Sequence, residues 1–268
     1  MDTIVLVSIL SLAGLGAFFA VILAWASKKL FVKDDPRVEK IEAALPGANC
    51  GACGSASCQL FAERLLTKEV TVNDCVPGGA KVAERLATVL GVESQAAEKK
   101  IAVVHCGAKS EEKKWRSDYR GLKSCQASTL VAGGGLSCVY GCFGYGDCAQ
   151  VCPFEAIVME DGLPRIDEKK CTGCGICVKT CPRGIISLEM GNGTHPLIVV
   201  ACSSLDKGKA VRSICSVGCI ACKLCEKICP ELFKVEDNLA RVDIRGMKED
   251  TDWKKPLEKC PTKCIVKL

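Results

Sequence analysis

Residues 171–182 read Cys171-Thr-Gly-Cys174-Gly-Ile-Cys177-Val-Lys-Thr-Cys181-Pro182, and residues 219–230 repeat them as Cys219-Ile-Ala-Cys222-Lys-Leu-Cys225-Glu-Lys-Ile-Cys229-Pro230, with every Cys and Pro in register. Three thiolates at two-residue spacing wrap one corner of an iron–sulfur cubane, and a fourth, placed before Pro, reaches a neighbouring one. Gly173 and Gly175 let the backbone come close enough to point N–H groups at the sulfurs. C-x2-C pairs alone also fit tetrahedral zinc. The triplet followed by Cys-Pro, present twice, favours iron–sulfur and implies two ferredoxin-like units.

Working outward, the partner half of the first unit is Cys138-x3-Cys142-x5-Cys148-x3-Cys152-Pro153, a widened form of the same run. Reciprocal exchange groups Cys138, Cys142, Cys148 and Cys181 on one 4Fe-4S cluster, and Cys152, Cys171, Cys174 and Cys177 on the other. The second unit has no Cys between residues 231 and 259, so a single cluster is expected there, held by Cys219, Cys222, Cys225 and Cys260. Cys229 and Cys264 are then spare buried thiols. Upstream, Cys50-x2-Cys53-x4-Cys58-x16-Cys75 is a self-contained quartet. The remainder, Cys106, Cys125, Cys202 and Cys215, forms a further quartet, bringing the expectation to about five 4Fe-4S clusters.

Cysteine at 22 of 268 residues is therefore the message of the composition, which is otherwise ordinary at 49% hydrophobic and 25% charged. A chain of this length builds its own cores, so disulfide stapling is not needed. The formal charge of +5 invites a nucleic-acid partner. That reading is set aside, because each oxidised cubane with four thiolates carries about −2 and several would cancel the excess Lys and Arg.

From Ile4 to Ala26 run 23 residues without a charge, about 34 Å of helix against a hydrocarbon core of about 30 Å. A cleaved signal peptide would carry positive charge before a shorter apolar stretch, whereas Asp2 is the only charged side chain there. Trp25 marks the exit interface, and Lys28, Lys29, Lys33 and Arg37 follow. Positive-inside counting then leaves the N-terminus outside and residues 28–268 in the cytoplasm, a single-pass protein of the cytoplasmic (inner) membrane with its thiols in a reducing compartment.

Asp35-Pro36 opens a short helix as N-cap and first position, and Pro46-Gly47 closes it. Helices are expected over Gln59–Lys68 and Gly79–Leu90, with a polar turn at Asn73-Asp74 between them. Ile101–Cys106 and Leu197–Cys202 are β-rich runs that are expected to pair with each other, and Ala156–Met159 and Ile185–Leu188 are further strands. The expected organisation is α+β: a transmembrane anchor (1–27), a small helical four-Cys 4Fe-4S domain (28–92), a charged linker (93–100), a central domain with a two-cluster ferredoxin unit (101–215) and a C-terminal single-cluster unit (216–268).

No carbon-substrate chemistry is visible. Gly133-Gly134-Gly135 lacks the Lys-Ser/Thr of a phosphate loop and reads as a flexible loop, and no G-x-G-x-x-G follows a strand. His105 and His195 read as loop or packing residues. The basic stretch at 109–123, KSEEKKWRSDYRGLK, reads as a solvated face, with docking of an acidic ferredoxin as the alternative.

The single N-terminal helix, the LPGANCGACGSASC quartet and the arrays YGCFGYGDCAQVCPFEAI and CTGCGICVKTCP together resemble the B subunit of the Rnf complex over essentially the whole chain. The resemblance implies an electron-transfer subunit of a membrane-bound, ion-translocating ferredoxin:NAD oxidoreductase. Its implied partners are the other membrane and peripheral subunits, soluble ferredoxin as electron donor and the surrounding lipid. Shorter relatives, which help reduce an oxidative-stress sensor, lack the unit at 219–264. The alternative is a membrane-tethered polyferredoxin serving a hydrogenase, dehydrogenase or reductase without ion coupling.

Overall fold

The computed structural model describes residues 2–30, 35–93, 99–190, 196–243 and 251–268. His195 and most of the 93–100 linker lie outside them. Helix α1 (Asp2–Lys29) is apolar on all sides and packs against no other element among the described residues: Ile4, Leu12 and Leu23 are all largely exposed. It is long and apolar enough to cross a membrane. Lys29 lies over the Trp25 ring at 4.9 Å, an arrangement suited to a membrane–water boundary.

Helices α2 (Pro36–Ala44), α3 (Cys58–Leu66) and α4 (Gly79–Leu90) form the small helical unit. Asp35 caps α2 by accepting from the Arg37 amide, and Ser57 caps α3 through Leu60. Their apolar stripes meet at Ile41, Phe61 and Leu86, which are fully buried. A 3-10 turn, Val72–Asp74, replaces the polar turn between α3 and α4, with the Asp74 carboxylate accepting from the Thr71 amide at 2.6 Å.

The remainder is one architecture in two copies. The first comprises β1 (Lys100–Val104), α5 (Cys125–Leu130), α6 (Asp147–Gln150), β2 (Ile157–Glu160), β3 (Leu163–Ile166), α7 (Ile176–Thr180) and β4 (Ile186–Met190). The second comprises β5 (Ile198–Val200), α8 (Gly208–Ile214), α9 (Leu224–Ile228), β6 (Phe233–Glu236), β7 (Leu239–Val242), α10 (Lys254–Lys259) and β8 (Ile265–Lys267). In each, the first strand pairs antiparallel with the last, and the two middle strands form a hairpin.

The two β-rich runs of the sequence therefore do not pair with each other. Ala102 stands opposite Leu188, and Val199 opposite Val266, so each run closes its own unit. What joins the runs is packing, with Val103 against Leu197, Val199 and Val266. His105 adds a polar bridge, its Nδ1 3.0 Å from the Val200 carbonyl oxygen and its Nε2 2.7 Å from Ser187 Oγ.

Nor is the triple-glycine segment loose. Gly134 and Gly135 are buried at positive φ, and a Cβ on Gly134 would strike the Phe143 ring. Arg183 lies over that ring at 4.2 Å and donates to the carbonyls of Gly133 and Val139, locking the segment down.

Candidate metal centres

The cysteines gather into groups that follow from the short elements carrying them. Cys50, Cys53 and Cys58 lead into α3, with Asn49 Oδ1 accepting from the Cys58 amide at 2.7 Å. Cys75 returns beside them: burial, and then the charges of Cys53, Cys58 and Cys50, push its thiol up to about 11. In the first ferredoxin copy, Cys152, Cys171, Cys174 and Cys177 line one cavity. Gly173 sits there at φ +70°, and a Cβ on it would run into the Lys100 carbonyl of β1, so both backbone angle and space favour glycine.

The next cavity is lined by Cys125, Cys142, Cys148 and Cys181, and a third by Cys106, Cys138, Cys202 and Cys215, with Cys142 at the shared wall. This exchanges two residues relative to the sequence reading, which put Cys138 with Cys142, Cys148 and Cys181 and put Cys125 with Cys106, Cys202 and Cys215. The physical reason is Asp147 at the start of α6. Its carboxylate accepts from the amides of Cys125 (2.9 Å) and Gln126 (3.0 Å) and from Ser124 Oγ (2.8 Å), so α5 is pinned beside the helix carrying Cys148. Although partial burial opposes ionisation, these donors hold the Asp147 carboxyl below its usual range. Cys125 thus lines the cavity beside Cys142, Cys148 and Cys181, although it is distant from them in sequence.

Cys138 is drawn instead into an arrangement that repeats between the copies. Cys106 stands two residues beyond β1 and Cys202 two beyond β5. Cys138 and Cys215 each open a C-x2-G-C run, CVYGC at 138–142 and CSVGC at 215–219. The central cavity is built from corresponding cysteine pairs, one pair from each copy. That repeat was present in the sequence, in IAVVHC against LIVVAC and CVYGC against CSVGC, and counting leftover cysteines passed over it.

In the C-terminal copy, Cys219, Cys222, Cys225, Cys260 and Cys264 all line the cavity. Cys264 lies four residues after its Cys-Pro cysteine, as Ala156 does after Cys152 and Ile185 after Cys181, and those residues line their own cavities too. Its Sγ is 3.6 Å from that of Cys260. Hydrogen bonding to Cys264 draws the Cys260 thiol down to about 5 and that of Cys219 to about 6, while Cys264 itself is pushed up. Of the three thiols, Cys264 is the one that releases its proton least readily. Cys229 is off the cavity, buried with Leu232 and Phe233.

A multi-iron unit fits these donor sets. Among the described residues no group of three or more metal-binding side chains closes around a single ion. The thiols ring open cavities instead, unlike the closed tetrahedron of structural zinc. One local turn recurs, in which the amide two residues on favours the thiolate: Tyr140 for Cys138, Gly144 for Cys142, Ile176 for Cys174 and Val217 for Cys215. The Ser204 amide does the same for Cys202, 3.5 Å from its Sγ. At Cys142 and Cys177 burial dominates over these donors, pushing both thiols up to about 12; ligation by iron requires the thiolate and so displaces their protons.

A chain that repeats the ferredoxin fold around sulfur-lined cavities is a multi-cluster iron–sulfur electron carrier. Comparison with known proteins agrees: residues 45–77 match a family of Fe-S cluster segments, residues 164–187 the 4Fe-4S binding domain, and residues 216–266 the 4Fe-4S single cluster domain of Ferredoxin I. The chain is 40% identical over 263 residues to the B subunit of the Na(+)-translocating ferredoxin:NAD(+) oxidoreductase complex of Acetobacterium woodii, covering 97% of this chain and 77% of that one. It is 39% identical over 245 residues to the B subunit of the ion-translocating oxidoreductase complex of Methanosarcina acetivorans, covering 91% and 92%. With the B subunit of the proton-translocating ferredoxin:NAD(+) oxidoreductase complex of Clostridium ljungdahlii it shares 39% identity over 271 residues, covering 99% and 93%. The chain belongs to the family of B subunits of ion-translocating oxidoreductase complexes, and 4Fe-4S clusters are its cofactors.

Proposed function

We propose that this chain relays electrons from reduced ferredoxin to the other subunits of an ion-translocating ferredoxin:NAD oxidoreductase, held at the inner face of the cytoplasmic membrane by α1. The ligands would be five quartets: Cys50, Cys53, Cys58 and Cys75; Cys152, Cys171, Cys174 and Cys177; Cys125, Cys142, Cys148 and Cys181; Cys106, Cys138, Cys202 and Cys215; and Cys219, Cys222, Cys225 and Cys260. Bound there, 4Fe-4S clusters supply one-electron carriers.

The observation that carries this reading is the unbroken order of the groups. Cys50 is near enough to Cys174 for its charge to add to the effect of burial there. Helices α6 and α7 each connect the next two cavities, since Cys148 and Cys152 lie one turn apart, as do Cys177 and Cys181. The Cys142 amide points at Cys106 Sγ, 3.5 Å away, and the Cys219 amide at the sulfur of Cys202. The row runs from the membrane-proximal quartet to the C-terminal copy, and the chain's task is to hold its members in sequence and away from water. Lys28 and Lys29 at the end of α1 support a cytoplasmic location for all of them.

The test is to isolate the chain anaerobically from solubilised membranes. Integral flavin-containing subunits should accompany it, and omitting the chain from the reassembled complex should abolish NAD reduction by reduced ferredoxin. Recovery of the chain alone would instead favour a tethered polyferredoxin without ion coupling.

A further inference from the structure

The row of cavities ends at the C-terminal copy, and that end is where a cysteine reaches solvent. Among the 22 cysteines, all within the described residues, Cys222 alone is exposed. Around it the surface has an apolar centre and a basic rim. Leu224 is 40% and Ile228 37% exposed, one turn apart on α9, and Pro261 is exposed beside Cys260.

The rim is formed by four exposed lysines. Lys223 precedes α9 and lines the cavity, and Lys227 follows one turn on, its amide donating to the Lys223 carbonyl. Lys263 sits in the turn closed by its amide on the Cys260 carbonyl, and Lys259 ends α10, which packs on α9. No ion pair is formed by these four among the described residues. Nearby carboxylates are already engaged: Glu226 accepts from the Val235 amide, and Glu231 bonds the Cys229 thiol, leaving Glu258. An apolar patch with a charged rim is the anatomy of a transient protein interface, and the rim's sign selects an acidic partner.

Four of the six cations in the basic stretch at 109–123 are spent differently. Lys109 pairs with Asp161, Lys113 and Lys114 donate to the carbonyls of Gly162 and Ser213, and Arg120 pairs with Asp118. These cations tie the chain to itself, fastening the turn of the β2–β3 hairpin and the end of α8.

We propose that the mouth of the C-terminal cavity, where Cys222 surfaces among Lys223, Lys227, Lys259 and Lys263, is the docking site for an acidic one-electron carrier of the ferredoxin type. The assignment rests on the function proposed above and adds the place of contact. Docking there brings the carrier to the outer end of the row. The carrier gives up one electron, this chain gains it, and no bond or proton need move.

The test uses the full, cluster-loaded chain in detergent with a purified acidic bacterial ferredoxin. Zero-length carbodiimide coupling should join ferredoxin carboxylates to Lys223, Lys227, Lys259 or Lys263 in the wild-type chain. The triple variant Lys223→Glu/Lys227→Glu/Lys263→Glu should bind about tenfold or more weakly at low salt. That difference should vanish near 1 M salt, where the screening length is about 3 Å. Iron content and visible spectrum should be unchanged, which separates lost docking from lost folding. Cross-links confined to residues 109–123, or a triple variant that binds like wild type while Arg120→Glu/Lys123→Glu does not, would overturn the docking site and leave the proposed function standing. A wild-type chain that binds no ferredoxin at all would overturn both.

Discussion

Replacing Asp147 by Ala should release one centre while sparing the others. Helix α5 has six residues, far too few to be stable alone, and three hydrogen bonds to the Asp147 carboxylate hold its first turn. At a net contribution of about 1 kcal/mol each, their loss favours local opening by roughly 3 kcal/mol, or about 100-fold at 1.4 kcal/mol per decade. Opening carries Cys125 out of the cavity it shares with Cys142, Cys148 and Cys181. Anaerobic transfer of iron to a chromogenic chelator should therefore show a fast phase of about four iron atoms out of about twenty. Hydrogen exchange at the amides of Cys125 and Gln126 should accelerate in parallel. Asp147→Asn should be milder, because its amide oxygen still accepts. Wild-type exchange in α5, or iron loss spread evenly over all centres, would refute the role given to Asp147 and the placing of Cys125.

Cys260→Ala should strip or convert the C-terminal cluster, seen in iron content and low-temperature electron resonance. Cys229→Ala should leave it intact, costing on the order of 1 kcal/mol of packing, and Cys264→Ala should keep the iron but shift that cluster's potential, since it removes a thiol 3.6 Å from the Cys260 sulfur. Equal iron loss from Cys264→Ala would move the fourth ligand to that residue. The anaerobically purified chain should carry about twenty iron atoms and Cys138→Ala about sixteen; an unchanged count in Cys138→Ala would remove it from the central quartet. Deleting residues 1–27 should give a soluble, still brown protein, and one that stays in washed membranes without partner subunits would contradict the anchor.

Much of this protein is legible without coordinates because iron–sulfur ligation is written in local spacing. A C-x2-C-x2-C triplet shapes its own turn, so residues 171–181 and 219–225 declare their chemistry wherever the chain places them. The apolar run from Ile4 to Ala26 is equally self-sufficient, since its length alone matches a bilayer. The Gly79–Leu90 helix and the Asp35 cap, likewise local, agree with the sequence reading to the residue.

Where ligands come from far apart, spacing says nothing, and the fold decides. Cys125 and Cys138 exchange places because a carboxylate 22 residues away fastens α5 to α6, and because two ferredoxin copies meet with their corresponding cysteines facing. The β-rich runs at 101–106 and 197–202 carry closely similar local propensities. Only antiparallel register, satisfied by β4 for one and β8 for the other, determines that they pack against each other without hydrogen bonding as a sheet. The same applies to the exposed cysteine. Cys222 has the sequence surroundings of Cys174, yet Cys174 is half-buried close to Cys50 while Cys222 stands at the open end of the row, since burial belongs to the neighbours that folding brings and not to the motif.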